Sequence, residues 1–269
     1  MCNKDAWLDL FKSTTVKGLE SSPRGYKIVE LLNETLTIDP MQPFMNFKHR
    51  KLNIDYIKKE IIWKLTAVPY NDSIVEHAKI WKSTQNPDGT FNSNYGQYWF
   101  GKQMGFYKAF NELAYDRDSR RAIIPMLNDS HIGPGVNDTV CTESVIFLIR
   151  ADMLHMVVHM RSSDQIFGLG VDIPTFAFLQ RLMLAALSNI YPELSLGMLS
   201  ISAASSHIYE RHFKMVNDII EDPTIDETVE MPLATRDEAL KLVACRGNVK
   251  KSWGDLSSWL TDQTFTNTI

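Results

Sequence analysis

The chain has 269 residues, of which 44% are hydrophobic and 22% charged, as in an ordinary globular protein of one large domain or two small ones. Its net charge of −4 excludes the strongly basic surface of sequence-independent nucleic-acid binding, so no nucleic-acid partner is expected. Three widely spaced cysteines, Cys2, Cys141 and Cys245, form neither a disulfide framework nor a metal motif, which predicts a reducing, cytoplasmic setting and no metal.

No apolar run is long enough to span a bilayer, and the first residues do not resemble a signal peptide, so no membrane segment is expected. In the first half of the chain, apolar spacing and turn residues predict helices separated by extended segments. Asp55 is expected to cap one of these helices. The predicted elements are a helix around residues 7–11, one long bent strand or a strand pair over 28–38, helices over 54–65, 73–82 and 103–115, and a short strand over 122–126.

The second half of the chain predicts two apolar strands followed by a strongly buried helix. Alternating apolar residues over 145–149 indicate a half-buried strand, and the continuous run over 154–160 indicates a fully covered one. Residues 174–189 are apolar nearly all round, which predicts a central buried helix. A strand over 198–204, a helix over 207–220, an exposed acidic segment over 221–230 and short helices around residues 239 and 256 complete the chain. This mixture, without repeats or linkers, predicts one α+β domain over residues 1–269.

The stretch from 141 to 172 carries the strongest candidates for chemistry. Cys141 stands at one end of the predicted strand pair, and Arg161, Asp164 and Asp172 stand at the other. A cysteine needs a nearby cation to be ionised at neutral pH, and Arg161 could return beside Cys141 on the partner strand. A thiol, a guanidinium and two carboxylates could therefore converge on one small substrate.

Each candidate also has an ordinary structural interpretation. Cys141 could be a small buried hydrophobic residue, and Glu60 could be a solvated charge on a helix flank. Arg120 and Arg121 could be an exposed pair, although two guanidinium groups also suit a phosphate. His155 and His159 alternate on one strand without a third ligand, which argues against a metal site.

Asp172 and His207 are also explained by helix starts. The sequence Asp172-Ile173-Pro174 has an N-cap residue followed by proline in the first turn, a pattern that the residues alone favour over a functional role. His207 with Tyr209 would ordinarily begin the helix over 207–220. Pattern alone therefore indicates an α+β protein with a plausible anion-binding cleft.

A set of short motifs, in order along residues 24–220, resembles the thymidylate synthase and deoxycytidylate hydroxymethylase superfamily. Each motif is weak alone, but their common order is highly specific. The resemblance implies the thymidylate synthase-like fold, with a mixed β-sheet core. The motifs are Glu60-Ile61-Ile62-Trp63, Ile80-Trp81, Asn94-Tyr95-Gly96, Asp118-Ser119-Arg120-Arg121, Cys141, Arg161-Ser162-Ser163-Asp164, Gly168 and His207-Ile208-Tyr209.

Within this superfamily the chain is more similar to the hydroxymethylases of T-even-type phages. Synthases usually have Pro-Cys-His at the nucleophile, whereas Cys141 here is followed by Thr142. Asp172 occupies the position where synthases carry the Asn that recognises uracil and where cytosine-specific relatives carry Asp. A carboxylate can accept from the cytosine amino group and, if protonated, can donate to the ring nitrogen. A helix dipole at Asp172 would favour its ionised form, so sharing a proton would require burial.

The resemblance implies covalent catalysis on a pyrimidine nucleotide. Cys141 as thiolate adds to C6, C5 attacks the methylene of 5,10-methylenetetrahydrofolate, and Glu60 acts as general acid and base. Water then adds to an exocyclic methylene in a hydroxymethylase, whereas hydride reduces it in a methylating synthase. The expected substrate is dCMP, and the expected product is 5-hydroxymethyl-dCMP.

The remaining roles also follow from the resemblance. Arg161 and Ser162 are expected to bind phosphate, with Arg24 as a weaker candidate because the flanking synthase motif is not kept. The family is a homodimer, so Arg120 and Arg121 are expected to reach the phosphate of the other subunit. His207 and Tyr209 are expected to contact the sugar, and Tyr95 is expected to lie beside the nucleophile. The folate is expected to contact Asp164, Gly168 and Trp81. Asp164 is also expected to take part in catalysis.

Two other functions remain open. Methylation of dCMP or dUMP is possible on the same scaffold, and the final Thr268-Ile269 is faintly similar to the closing tail of synthases. A non-catalytic nucleotide- or RNA-binding regulator is opposed by the negative charge and by the retained Cys141, Glu60 and Arg161. The sequence does not decide between ribose and deoxyribose, the source organism or the role of residues 221–230.

Overall fold

The computed structural model describes residues 2–226 and 229–262, and the strands in this part form one mixed sheet. The strand order is β1-β2-β7-β5-β4-β3, with β6 alongside β7. The expected α+β fold with a mixed sheet is confirmed. The strands are β1 (Leu19–Ser21), β2 (Ile28–Ile38), β3 (Ile123–Pro125), β4 (Thr142–Arg150), β5 (Met153–Met160), β6 (Ser163–Asp164) and β7 (Ser195–Tyr209).

The sheet is built around the long strand β7. It pairs antiparallel with β2, which is one continuous strand rather than a strand pair, and parallel with β5 and β6. Strands β4 and β5 form a hairpin in which Ala151 and Asp152 both have positive φ, as a two-residue type I′ turn requires. The hairpin brings Thr142 opposite Met160, so the chain segments that precede β4 and follow β5 lie side by side.

Helices cover the sheet and supply part of the core. The helix predicted over 54–65 is confirmed, but its N-cap is Asn53, whose side chain accepts from the backbone N–H of Tyr56, and not Asp55. The helix predicted over 73–82 is instead a 3₁₀ turn over Ser73–Glu76 followed by a short helix. The helices are α1 (Asn3–Lys17), α2 (Ile54–Leu65), α3 (Ile80–Thr84), α4 (Gly96–Trp99), α5 (Gly105–Tyr115), α6 (Phe167–Leu187), α7 (Phe213–Glu221), α8 (Arg236–Ala244) and α9 (Asp255–Thr261).

Helix α6 is the buried central helix that the apolar run over 174–189 predicts. It packs against β5, β7, α2, α5 and α8, and it starts at Phe167, two turns earlier than expected. The N-cap role of Asp172 is therefore wrong, because Asp172 lies inside the helix and Pro174 is accommodated in its interior. By length and composition α6 could cross a membrane, but 83% of its apolar window is buried within the protein, as in a core helix.

Two further expectations on the C-terminal side are corrected. His207 does not begin a helix: β7 continues to Tyr209, and α7 begins only at Phe213. The acidic segment is not a simple exposed excursion, since Ile225 forms a bridge to Phe47, which ties this segment to the body of the protein. The C-terminal pair Thr268-Ile269 lies outside the described residues.

Candidate active site

Cys141 and Arg161 face each other at the open end of the β4–β5 hairpin. The backbone N–H of Arg161 donates to the carbonyl oxygen of Cys141 at 2.9 Å, and the guanidinium Nη2 lies 3.5 Å from Cys141 Sγ. The guanidinium also donates to the carbonyl oxygens of Thr139 and Val140, at 2.6 and 2.9 Å. Arg161 therefore holds the chain on which Cys141 is carried and places a positive charge beside its sulfur.

Burial opposes ionisation of this cysteine. It raises the pKa of the Cys141 thiol above its ordinary value, and the positive charges of Arg161 and Arg24 lower it by less. In the free protein the effect of burial on the thiol thus exceeds the opposing effect of Arg161, which was expected to hold Cys141 ionised. Cys141 remains half-buried and so keeps part of its surface accessible. Arg161 is placed to stabilise a negative charge on this sulfur.

Glu60 is buried and not the solvated charge that its helix position suggests. It lies on α2 with 5% of its surface exposed, and its carboxylate accepts from the Lys64 ammonium one turn later. The hydroxyl of Tyr56, one turn earlier, also donates to Glu60 and accepts from Trp81 Nε1 at 2.9 Å. The i, i+4 spacing of Tyr56, Glu60 and Lys64 thus places a continuous polar chain on one helix face.

The loop before α4 brings Tyr95 onto this chain. Asn94 is fully buried, and its amide donates to the carbonyl oxygens of Trp63 and Val68 at 3.2 and 3.0 Å. A Cβ at Gly96 would lie 1.5 Å from the carbonyl oxygen of Lys64, so only glycine allows this approach. The Lys64 ammonium consequently lies 5.1 Å from the centre of the Tyr95 ring.

Tyr95 connects the acidic chain to the nucleophile. Its ring stacks on Phe176 of α6 at 6.1 Å between centroids, and its hydroxyl lies close enough to the Thr142 side chain for that side chain to affect its pKa. Asp172 and Cys141 are near enough to raise the pKa of the Tyr95 phenol, although burial is the larger cause. Tyr95 is therefore neutral and lies between the sulfur and the carboxyl groups.

Asp172 lies in the second turn of α6 and faces the same cluster. Burial raises its pKa to about 7, with Glu60 and Asp164 raising it further and Lys64 opposing them. Asp172 is therefore protonated in a large fraction of molecules near neutral pH. Such a carboxylic acid can donate one hydrogen bond and accept another.

Asp164, Gly168 and His207 meet at the start of α6. Strand β6 pairs Asp164 with His207 of β7, and Asp164 Oδ1 accepts from the backbone N–H of Ile166 at 2.9 Å. A Cβ on Gly168 would lie 3.3 Å from the Asp164 Cβ and 3.8 Å from Asp172 Oδ2. The missing side chain at Gly168 thus leaves space between the two carboxyl groups.

Aromatic rings border the cluster on two sides. Trp81 lies 4.9 Å from Trp63 and 6.1 Å from Phe91, measured between ring centroids, and it stays half-buried. His207 meets Tyr209 edge-on at 5.0 Å, and burial lowers the pKa of His207 so that its imidazole is neutral at physiological pH. These rings suit flat or sugar-like ligand groups better than a charged one.

The remaining predicted residues lie at varying distance from the nucleophile. Arg24 is exposed in a 3₁₀ turn with φ of 54°, yet its charge acts on Cys141. Ser162 is half-buried directly after Arg161. Arg120 and Arg121 are exposed, Arg121 forms an ion pair with Glu112, and neither is seen to contact the Cys141 cluster within residues 2–226 and 229–262.

Sequence reasoning missed several residues of this site. Lys64 and Tyr56 lie one turn to either side of Glu60, so helical spacing on α2 could have found both. Asp138 is buried near Arg161 and accepts from the Ser93 backbone and hydroxyl at 2.7 and 2.5 Å. No local signal marks Asp138, because its partner lies 45 residues away.

A separate cavity of about 310 Å³ lies against another face of α2 and is lined by Lys59, His77 and Arg246 among others. It contains neither Cys141 nor any of the carboxyl groups described above. The candidate active site is therefore identified by its reactive side chains and not by this cavity.

The cluster has the parts of a covalent catalyst for a small anionic ring compound. It combines a thiol beside a guanidinium with a buried carboxylate and a second carboxyl that titrates near neutrality. The fold and this set of residues correspond to a known family. A model of the thymidylate synthase family matches residues 5–245, and the chain belongs to this family.

Similar proteins indicate the kind of reaction within this family. Deoxycytidylate 5-hydroxymethyltransferases of Enterobacteria phages T6, T4 and T2 are each 30% identical to the chain over 202 residues, which cover 72% of this chain and 80% of the relative. The chain is accordingly a transferase of one-carbon units. The predicted resemblance and class of enzyme are confirmed, and methylenetetrahydrofolate is the co-substrate of the family.

The pKa of Asp172 predicts an unusual dependence of stability on pH. The pKa of Asp172 is raised from about 4 in the unfolded chain to about 7 in the folded chain, so between these pH values the native state binds more protons than the unfolded state. The stability that this group contributes is therefore lost as the pH rises from about 4 to about 7. The unfolding free energy of Asp172→Asn relative to the unaltered protein should therefore increase by roughly 2–4 kcal/mol from pH 4 to pH 8. Urea unfolding at several pH values measures this difference, and a flat difference would contradict the assignment.

Proposed function

We propose that this chain hydroxymethylates dCMP at C5, with methylenetetrahydrofolate as the one-carbon donor. The observation that carries the proposal is the Asp172 carboxyl, which faces the same cluster as Cys141 and Glu60 and has a pKa of about 7. Cytosine presents an amino donor and a ring-nitrogen acceptor on one edge, and a protonated carboxyl matches both. The names of the phage relatives support the same substrate and product.

The chain's own residues would then share the covalent chemistry. The thiolate of Cys141 bonds to C6 of the base, and Arg161 stabilises the negative charge on the sulfur before the bond forms. Glu60 exchanges protons with the polar edge of the base through water, as its burial and its hydrogen bonds with Tyr56 and Lys64 permit. Methylenetetrahydrofolate, when bound, supplies the one-carbon unit to C5, and water completes the hydroxymethyl group.

Phosphate and sugar would lie on the side of the cluster formed by β7 and the turn at Arg24. Arg161 and Ser162 follow β5 in succession, and Arg24 is the third candidate for the phosphate. His207, neutral and buried, offers ring nitrogens to a hydroxyl, and Tyr209 offers its phenol beside it. This arrangement is what supports a nucleoside monophosphate as the substrate.

The folate would take the opposite side. Trp81 offers an aromatic face, Asp164 offers a carboxylate for ring N–H groups, and Gly168 leaves open the space that a Cβ would fill. These features fit a flat heterocycle with donors on its edge. Asp164 would contribute to catalysis by holding this ring beside the nucleotide.

The proposal includes a homodimer in the cytoplasm, with residues 1–269 as one catalytic domain. Arg120 and Arg121 are exposed. In a dimer they would complete the phosphate site of the other subunit, which fits the four-arginine phosphate site expected from the family. dCMP and the folate are the proposed partners, without nucleic acid or membrane.

The first prediction concerns the product. Incubation of the protein with dCMP and methylenetetrahydrofolate is expected to give a nucleotide heavier by CH2O, because water completes the transfer. Mass spectrometry distinguishes this product from one heavier by CH2, which would identify a methyltransferase. Turnover of dUMP alone would contradict the role given to Asp172.

A second prediction concerns the choice of base. Asp172→Asn should lower kcat/KM for dCMP relative to dUMP by roughly ten- to a hundredfold, because the amide mismatches cytosine and leaves a buried polar group unpaired. Steady-state kinetics with both nucleotides measures the ratio. An unchanged ratio would mean that Asp172 does not contact the base.

A third prediction separates an enzyme from a binding protein. Cys141→Ala should abolish turnover while leaving nucleotide binding measurable by calorimetry, since the sulfur forms the covalent bond but supplies little binding energy. Cys245→Ala, a half-buried cysteine at the end of α8, is the matched control and should retain activity. Full activity of the Cys141→Ala variant would contradict covalent catalysis.

A further inference from the structure

Lys64 is a buried cation that appears in the catalytic scheme above only as a hydrogen-bond partner of Glu60. Only 2% of its surface is exposed, although ammonium groups are rarely buried. In the described part of the chain its nitrogen donates to Glu60 and lies over the ring of Tyr95, 5.1 Å from the centroid. Gly96 allows the loop that carries Tyr95 to approach the Lys64 backbone, so the position of Lys64 is built into the fold.

The charges around Lys64 do not balance unless a proton is bound. Glu60 is buried and Asp172 is half-buried with reduced solvation, and the Lys64 ammonium acts on both carboxyl groups. Two carboxylates with one ammonium leave a net negative charge in this space, whereas one proton on either acid makes it neutral. The hydrogen bond to Lys64 goes to Glu60, so the carboxyl that is left to take the proton is Asp172.

The other titratable groups near these acids do not reverse this order. Tyr56 and Tyr95 are neutral phenols, and Tyr56 donates to Glu60. Asp164 adds negative charge near Asp172 and so favours a proton there, and Cys141 would do the same as a thiolate. Arg50 interacts electrostatically with Asp164 and donates to the Ile166 carbonyl oxygen.

We propose that Lys64 is a positioning residue that, by pairing with Glu60, keeps the proton of the two-acid pair on Asp172 and thereby sets recognition of cytosine. Asp172 then donates to the ring nitrogen and accepts from the amino group, while Glu60 stays a proton acceptor. The functional part of this inference rests on the proposed function. The location of the proton does not depend on any substrate.

Carboxyl ¹³C NMR of the protein labelled at Asp and Glu tests the location of the proton directly. Asp172→Asn identifies the Asp172 signal. In Lys64→Met, which keeps the apolar stem and removes the charge, the Asp172 titration should move to higher pH by about one unit, and Glu60 should compete for the same proton. Lys58→Met is the matched control, because Lys58 is also buried on α2 but donates to the Asp262 carbonyl and lies over Trp259.

The kinetic readout follows from the same shift. Both limbs of the pH profile of kcat/KM for dCMP should move to higher pH by about one unit in Lys64→Met, since each acid has lost a nearby cation. Lys64→Arg keeps the charge and should keep the profile of the unaltered protein, as should Lys58→Met. An unchanged profile and unchanged carboxyl titrations in Lys64→Met would overturn the inference.

Glu60→Gln provides a second test if Lys64→Met does not fold. Removing the Glu60 charge leaves Lys64 acting on Asp172 alone, so the Asp172 titration should move to lower pH, and movement to higher pH would overturn the inference. The outcomes also separate the two proposals. Failure of the unaltered protein to turn over dCMP rejects the proposed function, whereas carboxyl titrations that ignore Lys64 reject the present inference even when dCMP is the substrate.

Discussion

Burial of α6 is the constraint on which the site depends. The helix is apolar nearly all round and packs between the sheet and α2, α5 and α8, so most of its polar residues, Thr175, Gln180 and Arg181, are buried. Asp172, in the second turn of this helix, is half-buried, and its loss of solvation is the largest cause of its raised pKa. The same packing stacks Phe176 on Tyr95 and so brings the α4 loop against the acids. The packing that forms the core therefore also brings the residues of the site together.

The site contains a small number of charged groups that have little contact with water. Arg161 lies beside the Cys141 sulfur and Lys64 donates to Glu60, whereas Asp172 has no hydrogen-bonded cation in the described residues. Each pair is brought together by local structure. Cys141 and Arg161 lie at the open end of one hairpin, and Glu60 and Lys64 are one helical turn apart. An acid without such a partner is protonated more easily, so Asp172 can donate a hydrogen bond as well as accept one.

Much of the fold could be predicted because it depends on local patterns. The hairpin of β4 and β5, helix α2 and the buried helix follow from apolar periodicity, and the order of the motifs identified the family before any geometry was known. The failures occurred where tertiary contacts override local signals. The Asp-Ile-Pro sequence at Asp172 resembles a helix start, yet α6 begins two turns earlier, where Arg50 packs against Gly170 and donates to the Ile166 carbonyl oxygen. His207 resembles a helix start, yet pairing with β2 and β6 keeps it in a strand.

The electrostatic state of the site was the least predictable part. The sequence indicates that Arg161 should ionise Cys141, but the degree of burial, which only packing determines, raises the pKa of the thiol. Asp138 was missed for a similar reason, since its hydrogen-bond partner Ser93 lies 45 residues away in the chain. The most direct test of the account is a crystal structure with dCMP bound. We predict that the amino group and ring nitrogen of the base lie about 3 Å from the Asp172 carboxyl, with C6 facing Cys141 Sγ; a base whose amino edge points away from Asp172 would contradict the account.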